Sequence, residues 1–346
     1  MFYQCLMMLF SFAVGLLFYY LKIPIPFMLG GIITAATVKF FIRNEMRWPV
    51  LWRNLGLVIA GYGIGRDFTQ NTLIRMSEQL FGVFGAAFIA IGISVFTAWV
   101  TYKFTFANLI SCVMGMMPGG LNQMMLMADE DSRADANVVV MQQTIRLFGV
   151  LVSVPFLVVH VLGATVTSGT LLSVPDNPGL TWMLLFPVAG LGAVIALKYK
   201  VPTGALIGPI IATALFSILY NEPLQKVPPL LMNLAQINIG LYMGCMLDKK
   251  RLYKTKELVP YALGGTVLII GGSMTVAEMM SGYYSIPIIT AFFAMAPGGV
   301  AEMCLAGLST GADVSLILTY QIVRMFIINL TVPFFINKFF DENYTG

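Results

Sequence analysis

Two arginines stand where a loop cannot explain them. Arg146 and Arg324 each lie 11 residues beyond an aspartate, Asp135 and Asp313, that opens an apolar run. At about 1.5 Å of rise per residue, each guanidinium falls roughly 16 Å along a helix, near the middle of a ~30 Å hydrocarbon layer. A charge there costs about 2.5–3.5 kcal/mol on insertion scales, so two at matched positions argue against accident. Gln143 and Gln321 sit three residues earlier, on the same helix face. Upstream of each pair is a Pro-Gly-Gly break. MPGGLNQM carries Gly119, Gly120, Asn122 and Gln123; APGGVAEM carries Gly298, Gly299 and Glu302. Glycines let backbone amides face a cavity, and a helix restarting after them turns its positive dipole end toward an anion.

Apart from the two aspartates, these residues form a candidate solute site of eleven, with alternatives at each point. The arginines either tie carbonyls of the broken segment to the next helix or offer a planar fork to an anion, and the two roles are compatible. The Pro-Gly-Gly break is a binding tip or a packing kink. Glu302, which replaces Gln123 in the second motif, is a proton site or an arginine partner. Asp135 and Asp313 read as helix N-caps, with a solute role as the alternative.

Other chemistry is sparse. Cys5, Cys112, Cys245 and Cys304 lie in apolar runs without a CxxC pair, and His160 is the single histidine. No metal site or cofactor is expected from such a set, and no nucleophile–base pair suggests an enzyme. The stretch MGMMPGGLNQMMLM invites a copper reading, but its counterpart AMAPGGVAEMCLA has fewer methionines, which favours core packing. Gly61-x3-Gly65 and Gly240-x3-Gly244 suit close helix packing. The basic run DKKRLYKTKE (248–257) reads as a cytoplasmic loop, with nucleic acid or anionic lipid as the alternative.

The elements that must position these residues follow from composition. Of 346 residues, 58% are hydrophobic and 10% charged, against roughly 25% charged in soluble domains. Mean hydropathy is +0.84. Soluble enzymes and free transcription factors are thereby excluded, and the fold class is an all-α polytopic membrane protein. Leu6–Tyr20 is apolar, but no small-residue cleavage site follows it, so the segment is read as retained.

The chain also repeats itself. LKIPIPFMLGGIITAAT (21–37) returns as YKVPTGALIGPIIATAL (199–215). MPGGLNQM (117–124) returns as APGGVAEM (296–303), and 134–156 returns as 312–334, all displaced by 178 or 179 residues. The division is an N-terminal repeat 1–162, a linker 163–181 and a C-terminal repeat 182–346. Apolar segments are expected at 4–20, 26–41, 50–65, 79–102 and 134–160, then 182–198, 203–220, 230–247, 258–280 and 312–338. Segments 105–130 and 286–309 are interrupted, and each is a kinked span or a re-entrant hairpin. Charge discriminates. If the interrupted segments span, Lys and Arg divide about 11 to 7 between the two faces. If they are re-entrant, the division is 14 to 4, with Lys22, Arg66, Arg75 and Lys226 alone on one face. The sharper bias favours two inverted repeats of five transmembrane helices, each with one Pro-Gly-Gly hairpin, and both termini cytoplasmic.

The doubled MPGGLNQM/APGGVAEM, the Ala-Asp openings and the Gln-x-x-Arg pairs resemble the AbrB-duplication family of bacterial inner-membrane proteins, over essentially the whole chain. Members are labelled regulators or ammonia monooxygenases; one histidine cannot supply an oxygenase metal set, and no soluble basic module exists for nucleic acid. More distantly, the layout is similar to the glutamate:sodium symporter family. That resemblance implies an elevator-type, homodimeric carrier, although this chain differs in its Arg-bearing helices and in the Pro before the glycines. The expected function is secondary transport of a small, anionic organic solute across the inner membrane, since Arg146 and Arg324 outnumber Glu302 near the centre. The alternative is a membrane-embedded regulator of gene expression acting through a cytoplasmic partner.

Overall fold

A computed structural model of the protein describes residues 2–42, 46–165, 181–220, 224–247 and 255–339, and its regular structure there is helical throughout. The ten apolar runs become ten helices within a few residues of their expected bounds. In chain order these are α1 (Phe2–Tyr20), α2 (Pro26–Phe41), α3 (Val50–Gly65), α5 (Leu80–Phe104), α8 (Ala136–His160), α9 (Thr181–Lys198), α10 (Gly204–Tyr220), α11 (Pro229–Met246), α12 (Val259–Tyr284) and α15 (Val314–Phe339). The interrupted segments each break into two: α6 (Leu109–Met116) with α7 (Leu121–Glu130), and α13 (Ile288–Met295) with α14 (Val300–Ser309). A short polar helix, α4 (Gln70–Glu78), has no counterpart in the apolar pattern. Most of the expected linker 163–181 and most of the basic run 248–257 lie outside the described residues.

By length and composition, α1, α5, α8, α12 and α15 can cross a membrane. The surface of α5 supports that reading. Phe81, Phe84, Phe88 and Phe96 are all exposed on it, an apolar face that lipid accommodates and water does not. The other five expected spans are shorter. Helices α2 and α3 have 16 residues, α10 has 17, and α9 and α11 have 18, against the ~20 of a perpendicular span.

Chain contacts divide the protein into two units that do not follow the two halves of the sequence. Unit 1 comprises Met1–Ser77, Pro155–Asp248 and Cys304–Ser315; unit 2 comprises Glu78–Val154, Lys249–Met303 and Leu316–Gly346. Each unit thus takes segments from both repeats, although Cys304–Ser315 lies in unit 1 and its repeat counterpart 125–137 in unit 2.

Unit 1 is held by backbone-to-backbone helix crossings. A β-carbon on Gly31 would lie 2.8 Å from the Ile237 carbonyl oxygen, and one on Gly240 would strike the Met28 carbonyl, so α2 and α11 touch through their main chains. The pair α3 and α10 crosses the same way: a β-carbon on Gly61 would lie 2.9 Å from the Leu206 carbonyl oxygen. The repeated segments also share backbone. Lys22 and Ile25 have φ of 55° and 46°, and their repeat equivalents Lys200 and Thr203 have 53° and 50°. Non-glycine residues seldom adopt this left-handed conformation. Four at matched places mean that the two helix entries are built alike.

Unit 2 carries the first broken helix and, of the second, α13 and the start of α14 up to Met303. The first packs Ile110, Met114, Met117 and Met124 against Ile328, Val332 and Ile336 of α15. Its other face sets Cys112 and Met116 against Ala262 and Ile269 of α12.

Candidate functional site

A helix that stops inside a protein leaves its last carbonyls without partners, and burial denies them water. The Gln-x-x-Arg pairs solve this problem twice. In the first half, Gln143 Nε2 donates to the carbonyls of Met114 (2.6 Å) and Met117 (2.8 Å), and Arg146 Nη1 donates to Met116 (2.8 Å). Arg146 Nη2 also donates to Gln143 Oε1 at 2.6 Å, which fixes both side chains. In the second half, Gln321 Nε2 donates to Phe293 (2.8 Å) and Ala296 (2.9 Å), and Arg324 donates to Met295 (2.8 Å) and Ala296 (3.1 Å). Arg324 Nη2 again donates to its glutamine, at Gln321 Oε1. A cation at a helix C-terminus is also favourable to the dipole. The carbonyl-tying role weighed for the arginines is therefore present in both halves.

That role does not use the whole guanidinium. Arg146 and Arg324 are 4% and 3% exposed, and the Nε of each is buried without a hydrogen-bond partner. Neither is paired with a carboxylate among the described residues.

The Pro-Gly-Gly breaks join the two parts of each broken helix. Gly120 has φ of 98°, a conformation that side chains resist, and it caps the start of α7. Gln123 is the third residue of α7, and its Oε1 lies over Gly120, where a β-carbon would strike it. Glu302 is the third residue of α14, and its Oε2 covers Gly299 in the same manner. This is the position from which Glu or Gln reaches back to a helix start, so Glu302 combines an N-terminal capping place with 8% exposure. Gly119 is tightly enclosed: a β-carbon there would lie 2.8 Å from Ile328 Cγ2 and 3.2 Å from Asn329 Oδ1. Gly298 meets mainly the flexible Met303 side chain. The Asn122 side chain lies outside the described residues. Asp135 and Asp313 cap their helices, accepting from Asn137 N (2.8 Å) and Ser315 N (3.1 Å).

The two ends of the first broken segment are tied together. Asn108 Nδ2 donates to the Arg133 carbonyl at 2.6 Å, and Asp135 N donates to Ser111 Oγ at 2.7 Å. Arg133 is held in turn by Asp131, whose carboxyl it keeps below the usual carboxylate range through their hydrogen bond.

One residue escaped sequence reasoning. Asn329, beside Gly119, has both side-chain polar atoms buried and unpartnered. A signal existed: Asn329 lies five residues after Arg324, where the first half has the apolar Leu151.

The fold and site together define an all-helical protein with membrane-length helices, built on a duplicated Pro-Gly-Gly and Gln-x-x-Arg unit. A family model described as "Transition state regulatory protein AbrB" matches residues 5–340, and the chain belongs to this AbrB family. It is similar to "Uncharacterized protein YhjN" of Bacillus subtilis (strain 168), 23% identical over 296 residues, covering 82% of this chain and 77% of that protein. It is also similar to "Putative regulator AbrB" of Escherichia coli (strain K12), 23% identical over 327 residues, covering 93% and 92%.

Proposed function

We propose that the protein is a secondary transporter of a small anionic organic solute in the bacterial inner membrane, with the solute held between the Pro-Gly-Gly tips and the two arginine helices. The observation that carries this reading is the pair of buried guanidiniums without a carboxylate partner among the described residues. The helix ends around them supply about half a charge each, two negative C-termini and two positive N-termini, and so nearly cancel. Glu302 offsets one arginine, and one positive charge remains for an anion to meet.

The rest of the proposal has its own supports. The hydrogen bonds joining Asn108 to Arg133 and Ser111 to Asp135 favour a re-entrant hairpin over a kinked span. Such hairpins, ten spans, inverted halves and cytoplasmic termini agree with the 14-to-4 charge division. Elevator-type movement and a homodimer are carried over from the likeness in layout to the glutamate:sodium symporters. No cofactor, metal or enzymatic step belongs to the proposal.

The regulator reading rests on a relative's printed name and would need a cytoplasmic partner, for which the run 248–257 is the natural contact. Reconstitution separates the two. Uptake of an organic acid by the purified protein in liposomes supports a carrier. Absence of uptake, with a cytoplasmic protein co-purifying through 248–257, supports a regulator.

A further inference from the structure

We infer that unit 1 holds a second anion site, separate from the Pro-Gly-Gly breaks: a cavity suited to a small hydroxy-monocarboxylate with a short apolar body. It does not depend on transport, since a membrane regulator could use the same cavity to sense such an acid.

The cavity has a volume of about 630 Å³, within the range of small-molecule sites. It is framed by the ends of α1 and α3, the starts of α2 and α11, and the end of α14. Its polar lining includes Arg66, Asp67, Lys226, Asn233 and Gln236. Asp67 is already engaged, because Arg66 Nε donates to its Oδ1 at 2.8 Å. Arg66 Nη1 remains buried without a partner. Lys226, on the exposed rim, has no carboxylate partner among the described residues. The lining therefore carries one positive charge in excess. Gln236 is 8% exposed, and its Oε1 has no hydrogen-bond partner. Asn233 lies one turn earlier on the same face of α11.

The internal repeat shows that packing alone does not dictate this arrangement. RWPVLWRNLGL (47–57) aligns with KVPPLLMNLAQ (226–236), so Val227 stands where the first half has Trp48, and Gln236 where it has Leu57. Trp48 is 4% exposed, packs with Met46 and Ile237, and donates to Asn238 Oδ1 at 3.3 Å. One half thus fills its position with an indole; the other leaves an isopropyl group and adds an amide with an unmet acceptor. Cores are close-packed and buried polar groups are normally bonded, so both departures at one cavity point to a ligand. Arg66 Nη1 and Lys226 suit a carboxylate, the Gln236 Oε1 acceptor suits a hydroxyl donor beside it, and Phe27, Val227 and Leu305 suit the apolar body.

The test is calorimetric titration of the full chain in neutral detergent with 2-hydroxyhexanoate, with hexanoate, and with 2-hydroxyhexanamide as the uncharged counterpart. 2-Hydroxyhexanoate should bind saturably with a Kd of about 1 mM or tighter, hexanoate roughly 3- to 10-fold more weakly, and the amide at least ~10-fold more weakly. Val227→Trp should abolish 2-hydroxyhexanoate binding while thermal unfolding stays at or above the wild-type temperature. Gln236→Leu should bind 2-hydroxyhexanoate no better than hexanoate without lowering thermal stability, and it alone decides if Val227→Trp does not fold. Equal binding of acid and amide, no binding of any of the three, or an undiminished preference for the hydroxy acid in Gln236→Leu overturns the inference. Nanodiscs of phosphatidylcholine should preserve 2-hydroxyhexanoate binding, and replacement by phosphatidylglycerol should not remove it. Removal would assign the cavity to a lipid headgroup and overturn the solute assignment. Because binding is read at equilibrium, failure of uptake in liposomes leaves this result standing, and the reverse also holds.

Discussion

A buried guanidinium has five N–H donors, and in this protein each of the two central arginines directs its Nη groups at helix-end carbonyls and a glutamine. Lysine keeps the charge but lacks the planar fork, so it serves a single carbonyl better than a two-point grip. Arg146→Lys and Arg324→Lys should each lower solute affinity by roughly 10- to 150-fold, the value of a lost charge-assisted bond. Arg324 should matter more, because Glu302 belongs to its half. Wild-type affinity in both variants would remove the arginines from the solute site. Glu302→Gln should flatten the pH dependence of uptake; an unchanged profile would leave Glu302 a capping residue only. At this scale the sequence was half legible. Depth and repetition singled out Arg146 and Arg324. What their side chains face depends on a helix about 30 residues away in the chain, which helical spacing cannot reveal. Asn329 has no periodic signature, and only its comparison with Leu151 across the repeat marks it.

Among the elements, the broken helices are the parts that hold or fail as units. Pro-Gly-Gly cannot continue a helix, so the breaks at 117–120 and 296–299 were legible directly. The fastening of the first segment's ends was not, because it uses an ordinary Asn and Ser. Asn108→Ala should destabilise the protein by about 1 kcal/mol in thermal unfolding, since one side-chain bond to the Arg133 carbonyl is lost. Asp131→Asn should cost ~0.2–1 kcal/mol at neutral pH, the usual value for a partly exposed pair. The sign follows from the lowered folded-state pKa of Asp131. Its contribution is complete above the unfolded carboxylate pKa of about 3.9 and disappears as pH falls through the folded value. Wild type and Asp131→Asn should therefore converge in acid; a constant gap would contradict the pairing. At the tips, Gly298→Val is the cleaner probe, because it meets chiefly the flexible Met303, whereas Gly119→Val would press on Ile328. Gly298→Val should insert normally yet lose uptake, and full activity would reduce that tip to a packing kink.

For the whole molecule, the sequence halves and the structural units are different divisions. Repeats report ancestry, and self-similarity shows them. Units report which helices touch, which depends on long-range packing that no local pattern encodes. Hence α1 to α3 join α9 to α11, while α5 to α7 join α12 and α13. Membrane orientation belongs to this scale. One unit 1 cavity gathers Arg66 and Lys226, two of the four cations that the charge division places on a single face. Cysteines introduced at 130 and 250, in a background without the native four, should react only from the cytoplasm, and those at 170 and 283 only from the periplasm. Periplasmic labelling at 130 would remove the inverted arrangement. The most direct measurement is uptake of radiolabelled small organic acids by the purified protein in liposomes, under an imposed proton or sodium gradient. At least one acid should accumulate saturably above protein-free liposomes, and Arg324→Lys should cut that uptake at limiting concentration by roughly 10-fold or more. Accumulation of no acid under either gradient, with the protein folded and inserted, would contradict anion transport.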